Sequence, residues 1–282
     1  MGCRLAAAYV VAAVAAGASA DTESADAAVR ERFRAAYAAA ALGVETADDE
    51  ALRAYVLYPY LRAARLERAL ARAQGASQDA DVAAGEFLAQ AGDAPVASVV
   101  RRAWLQSLAR RASWEAFLDQ YEAAAATPEL ECQQLNARIA LNENAGLAED
   151  IRARWLSAYR LPSECEPAFQ WLRAQGEMPV ELVAQRVGLL LDNGEASFAR
   201  VVAARLPAEA AAPLLERAQF IEAPKRMLDA YVRDASQEVP APLILDAWSR
   251  LARNAPDEAD ARYRELFDRM PSRDGFVGCV AR

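Results

Sequence analysis

The chain has 282 residues, of which 54% are hydrophobic but only 8% aromatic, and it carries a net charge of −8 with no histidine. Much of the hydrophobic share is alanine, the strongest helix former, and the alternating pattern of strands is missing, so we expect an all-α protein. The lack of histidine excludes Ser-His and Cys-His catalysis and most zinc sites. The acidic balance, without a basic stripe, argues against binding to nucleic acid or to an anionic membrane.

The N-terminus has the pattern of an export signal. A short basic start at Met1–Arg4 precedes an apolar run at Leu5–Ala16, and Ala18–Ala20 fits a signal-peptidase site. The apolar run is too short to span a bilayer as a helix. We therefore predict a signal peptide at residues 1–20, a mature chain that begins at Asp21, and a periplasmic location. A buried helix is the alternative interpretation of this run.

The rest of the chain predicts a series of helices. Pro stands at the start of many of these segments, where its missing N–H costs nothing, and Gly closes others. The predicted helices are Thr22–Leu42, Asp49–Ala54, Pro59–Ala73, Asp79–Ala91, Pro95–Arg111, one capped by Ser113, Pro128–Glu143, Leu147–Tyr159, Glu164–Gln175, Pro179–Leu191, Glu195–Leu206, Pro207–Phe220, Pro224–Val232, Pro240–Arg253 and Pro256–Met270. One helix pair cannot bury its apolar face alone, so we expect antiparallel hairpins stacked in series. The expected fold is an α-solenoid, or superhelix, without a strict TPR or ankyrin consensus.

One corner in this series carries a dense group of aromatic residues. Pro59 breaks the preceding helix and suits the first turn of the next one. We expect a sharp corner between a helix at residues 49–54 and a helix that begins at Pro59. Large side chains should fill this corner, namely Tyr55, Leu57, Tyr58 and Tyr60. Periodicity alone indicates an ordinary aromatic helix corner.

The motif Tyr-x-Leu-Tyr-Pro-Tyr-Leu at Tyr55–Leu61 closely resembles a signature of one family. It is similar to the N-terminal superhelical, U-shaped domain of the soluble lytic murein transglycosylases, periplasmic enzymes that cleave the glycan strand of peptidoglycan. A second stretch, Leu108–Trp114, resembles the family's Leu-Ala-x-Arg, turn and Trp. We expect Trp114 to fill the gap between adjacent hairpins, while Arg110 and Arg111 cap the C-terminus of the preceding helix.

Two cysteines extend the resemblance. Cys132 and Cys165 each stand near the start of a predicted helix. The family's superhelical domain has a disulfide in a similar arrangement, followed by an aromatic-rich segment, here Trp171–Gly176. The resemblance therefore implies a Cys132–Cys165 disulfide. In an exported chain such a cysteine pair is a structural cross-link rather than a metal site. Cys3 is removed with the signal peptide, and Cys279 has no evident partner.

The resemblance carries no catalytic residue onto this chain. In the family a separate C-terminal lysozyme-like domain holds the catalytic glutamate, in a Glu-Ser motif that is followed by Gly-Leu-Met-Gln. The only Glu-Ser dipeptide here, Glu23-Ser24, stands at an expected helix start, a capping context. The acidic clusters at 48–50, 129–131 and 257–260 lie in first helical turns, where carboxylates complement the helix dipole. We therefore expect no catalytic residue, metal or cofactor, and a signature that is structural, formed by Tyr55, Leu57, Tyr58, Pro59, Tyr60, Leu61, Arg110 and Trp114.

After Met270 the helical pattern gives way to an irregular tail at residues 271–282. We expect one superhelical domain at 21–270. Since the family's superhelix continues much further, we also expect either a truncated gene product or a gene model broken near Pro271. The first functional hypothesis is the scaffold portion of a periplasmic lytic transglycosylase, with peptidoglycan as its partner through the full-length family. The second is a stand-alone periplasmic adaptor whose concave face binds a protein or peptide. A Glu-Ser and Gly-Leu-Met-Gln region encoded beyond Arg282 would favour the first.

Overall fold

The computed structural model describes the backbone of residues 8–269 except 76, 77, 235 and 237, and the side chains of residues 25–269 except those four, Ala125 and Phe267. Every regular element in this described part is helical, so the predicted all-α class is confirmed. No described helix combines the length and the hydrophobicity that crossing a membrane needs.

Fifteen α-helices and two short 3₁₀ turns follow one another in the described residues. The helices are α1 (Ala8–Leu42), α2 (Glu50–Arg53), α3 (Tyr58–Arg72), α4 (Gln78–Ala91), α5 (Pro95–Arg110), α6 (Trp114–Gln120), α7 (Pro128–Ala140), α8 (Leu147–Trp155), α9 (Glu166–Ala174), α10 (Val180–Asp192), α11 (Ala196–Ala203), α12 (Ala208–Glu222), α13 (Pro224–Arg233), α14 (Ala241–Asn254) and α15 (Pro256–Arg269). The 3₁₀ turns are Ala123–Ala125 and Ser163–Cys165. The order and number of the helices match the sequence-based expectation.

The first helix differs from that expectation at its start. α1 runs without a break from Ala8 to Leu42, whereas the sequence predicted a helix from Thr22. It therefore continues through Ala18–Ala20, where we expect cleavage. Residues 1–7 lie outside the described part of the chain, and the signal peptide stays a prediction.

Two compact units divide the chain between Leu141 and Asn142. In the first unit, α3 packs against α1, α4 and α5, and α5 also packs against α6 and α7. Its main core is built on Leu70, Phe87, Leu105 and Phe117 and on their apolar neighbours. Contacts between each helix and the next helix but one, such as α3 with α5, are the packing of stacked hairpins.

The second unit repeats this packing scheme. α10 contacts α11 and α12, and α12 contacts α13 and α14. The core around α12–α15 contains Phe220, Leu228, Ile244, Leu251 and Leu266, all 5% exposed or less. Each unit therefore has the neighbour-to-neighbour packing of an α-solenoid.

Local sequence explains where most helices begin and end. The Asp49 carboxylate caps α2 by accepting the N–H of Leu52 at 2.7 Å. At the end of α9, Gly176 adopts a φ of 75°, which glycine reaches without steric cost. This conformation lets the N–H of Glu177 bond the carbonyl oxygen of Leu172 at 3.1 Å, closing the helix in a Schellman motif.

α8 ends earlier than the sequence predicted, at Trp155 rather than Tyr159. Past this point the Ser157 hydroxyl accepts the N–H of Tyr159 at 3.1 Å and donates to its carbonyl oxygen at 3.3 Å. Local bonds of this kind from a serine compete with the helical ladder. The helix therefore stops where the side chain of Ser157 offers the backbone a different partner.

Candidate functional site

The corner with the family signature lies at residues 54–57, between α2 and α3. The N–H of Tyr58 bonds the carbonyl oxygen of Tyr55 at 2.8 Å, and the N–H of Tyr60 bonds that of Leu57 at 2.9 Å. α3 begins at Tyr58, with Pro59 in its first turn. The chain thus turns before the Tyr-Pro pair, and α3 begins one residue earlier than the sequence predicted.

The expectation that four large side chains fill this corner is wrong for two of them. Leu57 is 39% exposed and Tyr60 is 40% exposed. Leu61 is the fully buried residue of the motif, on the face that α3 turns to the core. Tyr60 misses that face because a helix rotates by about 100° per residue. Tyr55 does pack inward, with its ring centroid 5.3 Å from that of Phe33 in α1.

Asp48 is the centre of a polar network behind this corner. Arg65 donates to both oxygens of the Asp48 carboxylate, at 2.6 and 2.8 Å, and the Tyr58 hydroxyl donates to one of them at 2.8 Å. Arg65 also donates to the hydroxyl of Thr46 at 3.0 Å. The hydrogen bonds from Arg65 hold the pKa of Asp48 below its ordinary value, whereas burial raises the pKa of Tyr58. The network fixes the loop before α2 onto α3.

An open groove of about 390 Å³ lies beside this network in the first unit. Arg62 stacks over the ring of Phe87, with its guanidinium carbon 5.4 Å from the centroid, and donates to Gln90 at 2.9 Å. The groove is lined by Glu45, Tyr58, Arg62, Arg65, Leu66, Ala69, Ala83 and Phe87. Apolar and aromatic walls with a few placed polar groups are typical of ligand sites, so this groove is the candidate binding surface of the unit.

The second family motif clamps two helices together. Arg110 in α5 donates to the carbonyl oxygens of Leu70 at 2.8 Å and Ala71 at 3.0 Å, both in the last turn of α3. The expectation that Arg110 caps its own helix is therefore wrong. Arg111 does bond its own helix, donating to the carbonyl oxygen of Ser107 at 3.2 Å. Trp114 is partly buried against the core of the unit.

Several residues that form hydrogen bonds in this clamp are absent from the sequence-based signature. Ser107, which is fully buried, donates to the carbonyl oxygen of Leu70 at 2.8 Å. Asp81 in α4 accepts from the Trp104 indole at 2.8 Å and from Arg111 at 2.7 Å. The available signal was a serine and a tryptophan on the core-facing side of an apolar helix, where each needs a polar partner.

Cys132 and Cys165 are both disulfide-bonded and fully buried. A disulfide is therefore present, as the resemblance implied. Cys132 lies one turn inside α7, and Cys165 is the N-cap residue of α9. Cys3 and Cys279 lie outside the described residues.

The acidic residues of the sequence analysis mostly cap helices or pair with arginine. Asp49 caps α2, and the first turns of α7 and α15 contain the other two clusters. Glu23-Ser24 falls inside α1 rather than at a helix start, and its side chains lie outside the described ones. Burial raises the pKa of Glu67, which is half-buried on α3, while nearby Arg102 opposes this shift. The described residues contain no cluster of three or more His, Cys, Asp or Glu that could hold a metal ion.

Comparison with known proteins gives relatives of one kind, although no family model matches the chain. Over 158 residues it is 25% identical to the soluble lytic murein transglycosylase of Salmonella typhimurium and 24% identical to that of Escherichia coli. Each match covers 56% of this chain and 24% of the relative. The chain is related to the soluble lytic murein transglycosylases. It spans about a quarter of the length of these relatives.

Solved structures of lytic transglycosylases share the fold. The inactive mutant of the lytic transglycosylase Slt from Pseudomonas aeruginosa is 26% identical, with a TM-score of 0.61 over 88% of this chain and 40% of that one. The 70-kDa soluble lytic transglycosylase of Escherichia coli is 21% identical, with a TM-score of 0.60 over 79% of this chain and 35% of that one. The resemblance inferred from the Tyr-Pro corner is thus confirmed at the level of the family and of the helical fold.

Proposed function

We propose that this chain is the superhelical scaffold portion of a periplasmic lytic transglycosylase that acts on peptidoglycan. The observation that carries the proposal is the agreement between sequence and structure. The relatives found by sequence are named soluble lytic murein transglycosylases, and the structural neighbours are lytic transglycosylases that match over 79–88% of this chain. Peptidoglycan is the partner that the word murein in the names of these relatives supports.

Three of the described carboxylates support the scaffold role. Glycan cleavage needs an acid group held in a cleft that raises its pKa and fits the sugar. Asp48, Asp81 and Asp229 instead form ion pairs with arginines at 2.6–2.7 Å. On this proposal the chain shapes access to the glycan, while the reaction, with its 1,6-anhydromuramic product, belongs to the lysozyme-like domain of the full-length family.

The most direct test reads the gene beyond the codon for Arg282. A downstream region that encodes Glu-Ser followed by Gly-Leu-Met-Gln, in frame or after a frameshift, supports the scaffold role. Its absence, together with capture of a periplasmic protein by the purified chain, would favour the stand-alone adaptor instead.

A binding assay tests the peptidoglycan partner and the groove together. Purified chain is sedimented with purified sacculi, and with chitin as a comparison polymer. We expect the chain to pellet with sacculi. The Arg62→Glu change, at the groove, should lower the fraction of the chain that pellets. Arg226→Glu, at an exposed position of α13, is the matched control, because it changes the net charge equally and lies in the other unit. No sedimentation of the unmodified chain would count against peptidoglycan as the partner.

A further inference from the structure

Arg186 in α10 is buried inside a cage of aromatic rings in the second unit. Only 3% of the residue is exposed. Its guanidinium carbon lies 4.1 Å from the ring centroid of Trp155, 5.5 Å from that of Phe169 and 5.9 Å from that of Phe198. These rings come from α8, α9 and α11, so four helices fix the position of one positive charge. A charge held over ring faces in this way gains cation–π attraction.

The guanidinium lacks the hydrogen bonds that normally accompany burial. Five N–H donors belong to the guanidinium of Arg186. Its Nε is fully enclosed without an acceptor. Ring faces attract the charge but give the enclosed Nε–H no acceptor in its plane, and a buried donor without an acceptor is unfavourable. Burial, and after it the nearby Arg205, lowers the pKa of Arg186 to about 10, and Glu166 opposes this shift.

The neighbouring charges do not supply the missing acceptor. Glu166 lies close to Arg186, but its carboxylate pairs with Arg173 at 2.6 Å and lies 3.7 Å from Arg205. Arg173 itself has an enclosed Nη1 without an acceptor. The Arg186 cluster, defined as Arg173, Arg186, Arg205 and Glu166, thus holds three positive charges and one negative charge. This local excess stands out in a chain whose net charge is −8.

We propose that the Arg186 cluster binds a carboxylate, and that its ligand is a carboxylate of a peptidoglycan stem peptide. A planar carboxylate matches the paired donors of a guanidinium, which the aromatic cage already holds in one orientation. Within the cluster, the carboxylate of Glu166 already pairs with guanidinium groups, those of Arg173 and Arg205. Guanidinium groups also bind phosphate through two donors, so inorganic phosphate is a necessary comparison in the test. The choice of stem peptide rests on the proposed function.

Calorimetric titration of the purified chain tests this inference with four probes. These are a soluble muropeptide with free carboxyl groups, the same muropeptide with all of them amidated, sodium acetate and inorganic phosphate. We expect binding of the free muropeptide and, more weakly, of acetate. The amidated muropeptide should not bind. Phosphate should bind no more tightly than acetate.

Variants assign the binding to Arg186. Arg186→Met keeps a long apolar side chain over Trp155 but removes the charge and the donors, and should weaken muropeptide binding at least tenfold. Arg186→Lys keeps the charge without the planar donors and should restore part of the affinity. Arg160→Met is the matched control, because Arg160 also stacks on Phe198, at 5.3 Å, but from an exposed position. It should leave binding unchanged.

The outcomes separate this inference from the proposed function. Muropeptide affinity that is equal in Arg186→Met and in the unmodified chain overturns the site. Acetate binding without muropeptide binding overturns the stem-peptide ligand and also counts against peptidoglycan as the partner. Sedimentation with sacculi that persists without any carboxylate binding overturns the site alone. If Arg186→Met does not fold, the Nε–H resonance of Arg186 in the unmodified chain decides, since it must shift on addition of muropeptide.

Discussion

Arg110 donates to the carbonyl oxygen of Leu70 across 40 residues of sequence, at 2.8 Å. Leu70 lies in the last turn of α3, where helix carbonyls have no partner within the helix. Ser107, one turn before Arg110 in α5, donates to the same oxygen at 2.8 Å. A motif that resembles a cap of one helix therefore closes another helix and fixes the register between the two.

We expect Ser107→Ala to lower the free energy of unfolding by about 1 kcal/mol, the usual contribution of one hydrogen bond, and Arg110→Met, which removes two, by about 1–2 kcal/mol. The double variant should lose more than the sum. Without both donors the Leu70 oxygen keeps only a 3.3 Å bond from the N–H of Ala73. Urea unfolding measures all three, with Arg102→Met on exposed α5 surface as the control. Strictly additive losses would show that the two donors act independently.

The acid side of the stability profile should depend on Asp48. Its pKa is lowered in the folded state, chiefly by hydrogen bonds from Arg65, so its contribution is present above the unfolded value of about 3.9 and is lost as pH falls through the folded value. Asp48→Asn should lower the free energy of unfolding by about 1–2 kcal/mol at pH 7, since bonds to a charged group are lost. The variant should also show a flatter decline below about pH 5. Urea unfolding at several pH values measures this, and Asp93→Asn, in the exposed loop before α5, should keep the steeper decline.

We expect the two disulfide-bonded cysteines, Cys132 and Cys165, to be joined to each other, which a non-reducing peptide map would show. They are 33 residues apart in the chain. Closing a loop of this size should stabilise the protein by about 3–4 kcal/mol in the chain-entropy model. Reduction should therefore lower the unfolding free energy by that amount, and the Cys132→Ala, Cys165→Ala double variant should be insensitive to reductant. A peptide that links either cysteine to Cys279 would contradict the pairing.

The Pro and Gly residues of the sequence were sufficient to predict the order of the helices, but not which distant residues contact one another. Pro and Gly act on the backbone next to them, so Pro59 and Gly176 could be interpreted locally. The aromatic cage of Arg186 could not be predicted from local sequence, because its rings come from three other helices. In the sequence Arg186 stands in an ordinary apolar helix, and periodicity records only neighbours on the same helix. The early end of α8 also has a cause that periodicity does not include, namely the hydrogen bonds between the Ser157 hydroxyl and the backbone.

Removal of the expected leader should leave the folded units intact. Signal peptidase is expected to cut after Ala20, so that intact-mass measurement of exported protein gives Asp21 as the first residue. Among the described side chains of α1, the buried ones, Ala36 and Ala40, lie beyond this point, as does Phe33, which packs on Tyr55. Thermal unfolding of the chain with and without residues 1–20 should therefore differ by less than about 1 kcal/mol. An exported, folded product that retains Met1 would contradict the cleavage.

The purified chain from Asp21 to Arg282 should release no anhydromuropeptides from sacculi. One glutamate must serve as acid and then as base in the family reaction, which requires a raised pKa in a cleft that fits the sugar. Glu67 has the raised pKa, but it does not line the groove, and Glu45, which does, lies at an open surface. The assay is digestion of sacculi followed by chromatography of the soluble products. Turnover that Glu67→Gln abolishes and Glu45→Gln preserves would identify a catalytic acid on α3 and would contradict the scaffold role. Turnover lost in Glu23→Gln would instead return the catalytic role to the Glu23-Ser24 pair.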